Sequence, residues 1–250
     1  MNDWLDDLRT AVAFLTRLPM PHPEGATPEH FVRAHRMFPI VGAAIGAAVG
    51  FFCLALRVVG LPDLAAAALA LGASALLTGA LHEDGLADVA DGFGGGRDVA
   101  AKLEIMRDSR LGTYGALILM VSLVAKLSAL AALPDGVVVQ GLIVSHALAR
   151  GVLPFMAMSL PYARKDGLGA NAGRPDSTTV MTAGALAFVI ALLALPWRVA
   201  LGAALLAAAC AIGMGWLTQR QIGGQTGDVL GGTEQLGETA ILLLLAAGFG

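Results

Sequence analysis

The feature that most constrains this chain is a succession of apolar runs, each about as long as a bilayer is thick, that fills it from residue 37 onward. A hydrocarbon core ~30 Å thick takes about 20 apolar residues of helix to cross. Only 14% of the residues are charged, against roughly 25% in a soluble domain, and the mean hydropathy is +0.72. We therefore expect an all-α, polytopic integral membrane helical bundle, a single membrane domain over residues 1–250. Its seven spans are expected at 37–58, 63–82, 113–133, 137–160, 179–196, 199–217 and 236–250.

Ahead of the spans, Asp3 to Leu18 reads as an amphipathic helix. Trp4, Leu5, Leu8, Val12 and Leu15 share a face, and Asp6, Asp7 and Arg9 lie elsewhere. It is expected to lie on the membrane surface or to pack on the bundle, within an interfacial segment 1–36, and Pro19-Met20-Pro21-His22-Pro23 breaks it. The start Met1-Asn2-Asp3-Trp4 lacks the basic stretch of a signal peptide, so no cleavage is expected. Gly42, Gly46 and Gly50 stand at the spacing of close helix–helix contact. Cys53 and Cys210 lie inside apolar runs, as packing residues do. The net charge of −3 argues against a nucleic-acid partner.

Lys and Arg set the orientation. Arg9, Arg17, Arg33 and Arg36 precede the first span. Arg97, Lys102, Arg107 and Arg110 follow the second, Arg164, Lys165 and Arg174 the fourth, and Arg220 the sixth. The opposite side carries Arg57 and Arg198. The positive-inside rule puts the N-terminus in the cytoplasm with the loops 83–112, 161–178 and 218–235, and the C-terminus outside. All the elaborate loops then share one face, and chemistry is expected there, in a multi-pass protein of the cell (inner) membrane.

The first of these loops is acidic: Glu83, Asp84, Asp88 and Asp91 follow directly on an apolar run. On a helix Asp84, Asp88 and Asp91 share one face, where three like charges repel unless a cation lies between them. Hard oxygen ligands favour Mg2+ or Mn2+; a solvated acidic helix start is the plainer alternative. The loop continues through Gly92, Gly94, Gly95 and Gly96, which let backbone approach a bulky or anionic ligand. Arg107-Asp108-Ser109-Arg110 then offers guanidinium forks for phosphate, or simple anchoring. Asp228, in the glycine-dense loop 221–235, can complete a metal site from another helix, with Glu234 and Glu238 as weaker candidates. Lys126 and Arg150 fall inside spans, with His146 one turn before Arg150. Charge in a bilayer is expensive and points to function. Carboxylates for a metal and arginines for phosphate are the equipment of phosphoryl transfer.

The Asp88-x-x-Asp91-Gly92 element resembles the start of the Asp-rich motif of membrane CDP-alcohol phosphotransferases, but the remainder of that motif does not follow. A longer resemblance is to the cobalamin synthase family, the adenosylcobinamide-GDP ribazoletransferases. It is carried by His82-Glu83-Asp84-Gly85-Leu86-Ala87-Asp88 through Asp91-Gly92, by Glu104 to Thr113, and by Gly223-Gly224-Gln225-Thr226-Gly227-Asp228-Val229-Leu230-Gly231. Phe14 to Pro19 and Phe38 to Gly42 fit as well, and Gln225 stands where that family's pattern has an aromatic residue. The resemblance implies a Mg2+-dependent membrane enzyme that joins adenosylcobinamide-GDP to α-ribazole, or its 5′-phosphate, with release of GMP. On it, Asp84, Asp88, Asp91, Arg107 and Arg110 are the catalytic candidates, and Glu83, Asp84, Asp88, Asp91 and Asp228 the metal ligands. The substrate-binding candidates are Arg17, Arg36, Gly94, Gly95, Asp108, Ser109, Thr113, Lys126, His146, Arg150, Gly223, Gly224, Thr226 and Gly227. Other corrinoid-pathway enzymes and a second copy of the chain are the expected protein partners. The competing readings are a CDP-alcohol phosphotransferase-like enzyme and an ion-coupled transporter. Against the latter, the acids lie at the membrane edge and paired broken helices in two halves are missing.

Overall fold

A computed structural model describes residues 3–21, 27–164 and 173–250. Three short turns at one end of the bundle end in proline: Pro62, Pro134 and Pro196 hold extended backbone (ψ 142°, 152° and 139°) and stand directly before a helix. Proline cannot continue a preceding helix but is compatible with the start of the next. In chain order the helices are α1 (Asp3–Leu15), α2 (Pro28–Ala34), α3 (Phe38–Val58), α4 (Asp63–Thr78), α5 (Leu81–Gly95) and α6 (Val99–Ile105). They continue as α7 (Thr113–Ala132), α8 (Asp135–Gly151), α9 (Leu153–Ser159), α10 (Ser177–Ala194), α11 (Trp197–Ile222) and α12 (Gly227–Phe249). A 3-10 turn, His35–Met37, joins α2 to α3.

The fold is all-helical and multi-pass. Among the described residues six helical segments are long and apolar enough to cross a membrane, and a seventh crossing results if α4 and α5, bent by 91°, form one span. The bend comes from two consecutive left-handed residues, Gly79 (φ 68°) and Ala80 (φ 54°). The centre of the bundle is α8, packed on α3 through glycine. A methyl on Gly50 would lie 2.9 Å from Val139 Cα, and methyls on Gly42 and Gly46 would collide with the carbonyls of His146 and Leu142. Small residues let backbones approach where lipid supplies no hydrophobic drive to association. Ile45, Leu142, Leu148, Ile241 and Leu245 fill the core between α3, α8 and α12. Leu117, Met120 and Val124 on α7, Leu193 on α10 and Leu205 and Ile212 on α11 point outward, as lipid-facing residues do. At the end of the bundle with the proline turns, Arg57 joins four helices: it pairs with Asp63 (3.3 Å) and Asp135 (3.1 Å) and donates to Leu133 O (2.8 Å).

Several expected boundaries shift. The last span begins at Gly227, not 236, and the sixth runs to Ile222, so loop 218–235 shrinks to Gly223–Thr226. Hydropathy alone reads Glu234 and Gln235 as loop, whereas both are buried helical residues, as is Glu238 within the expected span. Loop 83–112 is largely α5 and α6, and the second span ends at Thr78. The fourth is divided into α8 and α9. Lys165, much of loop 161–178, and the His22-Pro23 end of the proline break lie outside the described residues.

Candidate active site

At the end of the bundle opposite Arg57, the starts of α3, α5 and α12 meet the chain that follows α9. Glycine makes the junction of α5 and α12 possible: a methyl on Gly85 would lie 2.8 Å from Asp228 O, and one on Gly231 3.3 Å from His82 Cα. The short turn between α11 and α12 pairs with the segment after α9. Gln225 N donates to Pro161 O (2.8 Å) and Ala163 N to Gln225 O (2.9 Å). A side chain on Gly224 would strike Pro161 O, so this pairing needs glycine. Gln225 is itself buried and donates to Ala157 O (3.3 Å). The pairing delivers Arg164 to Asp228, with Nη2 3.0 Å from Oδ2. Thr226 caps α12, its hydroxyl accepting from Val229 N (3.3 Å) and donating to Asp228 Oδ2 (3.2 Å).

These elements enclose a cavity of about 340 Å³. One part of its lining is aromatic, from Phe14, Phe31, His35 and Phe38; another is polar, from His82, Asp84, Tyr162, Arg164, Thr226 and Asp228. Asp84 is exposed. Asp88, one turn on, feels the negative charge of Asp228, Asp84 and Asp91 against the positive charge of Arg164. Carboxylates outnumber cations here, a donor set suited to a hard divalent ion. Tyr162 donates to Gly173 O (2.7 Å), and burial pushes its phenol up against the opposing pull of Arg174.

Below the cavity lies a second group of charges. Arg150 Nη1 is 2.5 Å from Glu234 Oε1, Lys126 Nζ is 2.7 Å from Glu238 and 2.6 Å from Gln235, and His146 Nδ1 is 3.0 Å from Glu238. His82 connects the two levels: it lines the cavity, and its Nδ1 lies 3.3 Å from Arg150 Nη2 and 3.6 Å from Glu234.

The structure brings Asp84, Thr226, Gly227 and Asp228 together in the cavity lining, with Asp88 within their electrostatic reach, and sends other candidates elsewhere. Asp91 accepts from Gly112 N (2.7 Å) and Gly115 N (2.8 Å), so both its oxygens serve the start of α7 rather than a metal. Glu83 keeps one buried carboxylate oxygen without a hydrogen bond and acts electrostatically on Lys126. Arg107, Asp108, Ser109 and Arg110 occupy the turn between α6 and α7, away from the cavity lining. Arg110 grips Asp108 there with two nitrogens, which holds that carboxyl below its usual range. Thr113 is exposed at the start of α7. Gly94 faces the Tyr114 ring, Gly95 faces Ile105 and Gly96 faces Lys102, so these glycines accommodate the chain's own side chains rather than a ligand. Arg36 pairs with Asp7 (2.7 Å) and covers Trp4, and Arg17 packs against Gly79; both hold the N-terminal segment to the bundle. Lys126, His146 and Arg150 are buried in the lower group, and left-handed Gly223 (φ 74°) ends α11. Sequence reasoning missed Arg164, His82 and the aromatic wall. Arg164 was visible only as one of several loop cations, and His82 only as part of a motif.

The profile of the family described as "Cobalamin-5-phosphate synthase" matches residues 7–246. Similar chains include proteins named adenosylcobinamide-GDP ribazoletransferase in three bacteria. That of Bradyrhizobium diazoefficiens is 46% identical over 96% of this chain and 93% of its own. That of a Sinorhizobium species is 42% identical over 98% of each, and that of Azorhizobium caulinodans 41% over 96% and 94%. No solved structure matches.

Proposed function

The chain belongs to the cobalamin-5-phosphate synthase family, and from that premise we propose that its cavity is where adenosylcobinamide-GDP and α-ribazole, or the 5′-phosphate of α-ribazole, are joined with release of GMP. The protein is a membrane transferase of cobalamin biosynthesis. The observation that carries the site assignment is the single cavity in which Asp84, Asp228 and Arg164 share a lining with an aromatic wall.

In this reading a ribose hydroxyl of α-ribazole attacks the phosphorus nearest cobinamide. The new P–O bond forms as the bond to the bridging oxygen breaks, and GMP departs with that oxygen. Arg164 meets charge on the phosphates. The guanidinium is already oriented by Asp228, and a planar fork suits phosphate oxygens. Asp84, Asp88 and Asp228 are hard oxygen donors of the kind Mg2+ takes, and they would hold it. When bound, the ion neutralises diphosphate charge and stabilises the leaving oxygen. Asp91, committed to backbone, is left out of this set, and Glu83 acts electrostatically on Lys126. A carboxylate of the same group takes the proton of the attacking hydroxyl.

The cations gathered at the cavity end support a cytoplasmic cavity and an inner-membrane location. A C-terminal alkaline phosphatase fusion should then be active; an inactive phosphatase with a bright cytoplasmic reporter would reverse the orientation. Association with neighbouring corrinoid enzymes would keep soluble intermediates near the cavity. Co-purification from mild detergent tests it, and recovery of this chain alone would remove it.

The function is tested by turnover of detergent-purified protein with adenosylcobinamide-GDP, α-ribazole and Mg2+. GMP and cobalamin should form in equal amounts, and both should be lost with EDTA or in Asp84→Asn. Absence of both products from well-folded wild-type protein would overturn the assignment and direct attention to CDP-alcohols.

A further inference from the structure

The aromatic end of the cavity has no part in the phosphate chemistry, and its composition is selective. Phe14 stacks on Phe38 with ring centres 5.8 Å apart and planes 11° from parallel; His35 stacks on Phe38 at 4.5 Å and 25°. Phe31 stands edge-on to both Phe14 (4.8 Å, 79°) and His35 (5.2 Å, 84°). Three separate pieces of chain therefore build one aromatic surface: the end of α1, α2 and the turn into α3. Phe38 and His35 are buried, whereas Phe14 is 38% exposed. Such rings take up a flat heterocycle on its face and are tolerant of what that heterocycle is.

The polar groups at this end narrow the choice. His35 Nδ1 lies 3.0 Å from both Phe31 O and Val32 O. Carbonyls only accept, so Nδ1 carries the proton and Nε2 keeps a lone pair. The neighbouring lining residues Leu153 and Ala157 are apolar. Guanine would bring a carbonyl, a ring N–H and an amino group to a wall with one acceptor among its rings, and buried polar groups without partners are costly. The base of α-ribazole is a benzimidazole, a flat bicycle with no exocyclic polar group. Size points the same way. At about 340 Å³ the cavity lies at the small end of the roughly 300–1,000 Å³ range of ligand sites. That suits one nucleoside better than a corrin macrocycle.

We propose that Phe14, Phe31, His35 and Phe38 seat the benzimidazole of the acceptor, so that α-ribazole fills the cavity with its ribose toward Asp84, Arg164 and Asp228 while the corrinoid of the donor stays outside. The proposal rests on the transferase reading above. It is tested by steady-state GMP release with each substrate varied in turn, for wild type, Phe14→Leu, Phe31→Leu and Phe14→Trp. The KM for α-ribazole should rise about tenfold in both leucine variants, stay near wild type in Phe14→Trp, and leave the KM for adenosylcobinamide-GDP unchanged. A rise in the donor's KM instead, or no change in either, overturns it. Equilibrium binding of α-ribazole alone, followed by the fluorescence of its base, separates the two readings. Binding weakened by Phe14→Leu in a protein that releases no GMP would sink the transferase reading and keep the seat. GMP release with binding indifferent to both phenylalanines would do the reverse.

Discussion

Asp228 and Glu234 stand less than two turns apart on α12, yet the chain treats them in opposite ways. Asp228 opens on the cavity, binds Arg164, whose charge Asp88 also feels, and belongs to a group with more negative charge than its cation cancels. Glu234 is fully buried and lies 2.5 Å from Arg150, while Glu238 one turn on is matched by Lys126. The upper charges are left short of partners and so can take a ligand. The lower ones neutralise one another and hold α5, α7, α8 and α12 in register. Intramembrane charge is a pointer to function only when nothing in the protein has already neutralised it.

The strongest way to break this contrast is to unbalance the lower group. Arg150→Met strands Glu234, and we expect a loss of about 3–5 kcal/mol, read as a lower melting temperature in detergent. The double change Arg150→Met with Glu234→Gln should recover most of it, since coupled partners do not add. A single variant that melts like wild type would show that the lower charges are not what holds the helices. In the upper group Asp228→Asn should instead spare the melting temperature and cut GMP release by about 10²–10³-fold, the range seen when one electrostatic contact to a transition state is lost. A matching fall in melting temperature would erase the distinction. Arg164→Gln should lower kcat/KM about ten- to a hundredfold, and Arg164→Lys should restore only part, because an ammonium lacks the fork. The smallest effect belongs to the turn between α11 and α12. Gly223 has positive φ but open space around it, so Gly223→Ala should cost about 1 kcal/mol in stability and leave both KM values alone. A changed KM would mean that the turn touches substrate.

The same contrast explains what could be read from sequence. The apolar runs disclosed the crossings because lipid-facing residues such as Leu193 and Ile212 need no partner to explain them. The start of α12 was hidden because its polarity is cancelled by Lys126 and Arg150, more than eighty residues upstream, a pairing that no local window can register. Asp84, Asp88 and Asp228 were legible as carboxylates at a membrane edge, and in the fold they lie close enough to feel one another's charge. Asp91 looked the same in sequence, and only the backbone N–H groups of Gly112 and Gly115 distinguish a structural carboxylate from an open one. Arg164 depends on a pairing between Tyr162 and Gln225 across the fold. The aromatic wall depends on three segments converging, which spacing does not encode.

Arg57 gives the molecule a direction. One guanidinium laces together the end of α3, the start of α4 and the α7–α8 turn, while the opposite end holds the cavity. Substrates and products therefore share the one end of the bundle where this cavity lies. We expect whatever leaves to cross the path of whatever arrives, so that accumulated GMP slows the enzyme by standing in the donor's way, and raising the donor concentration relieves it.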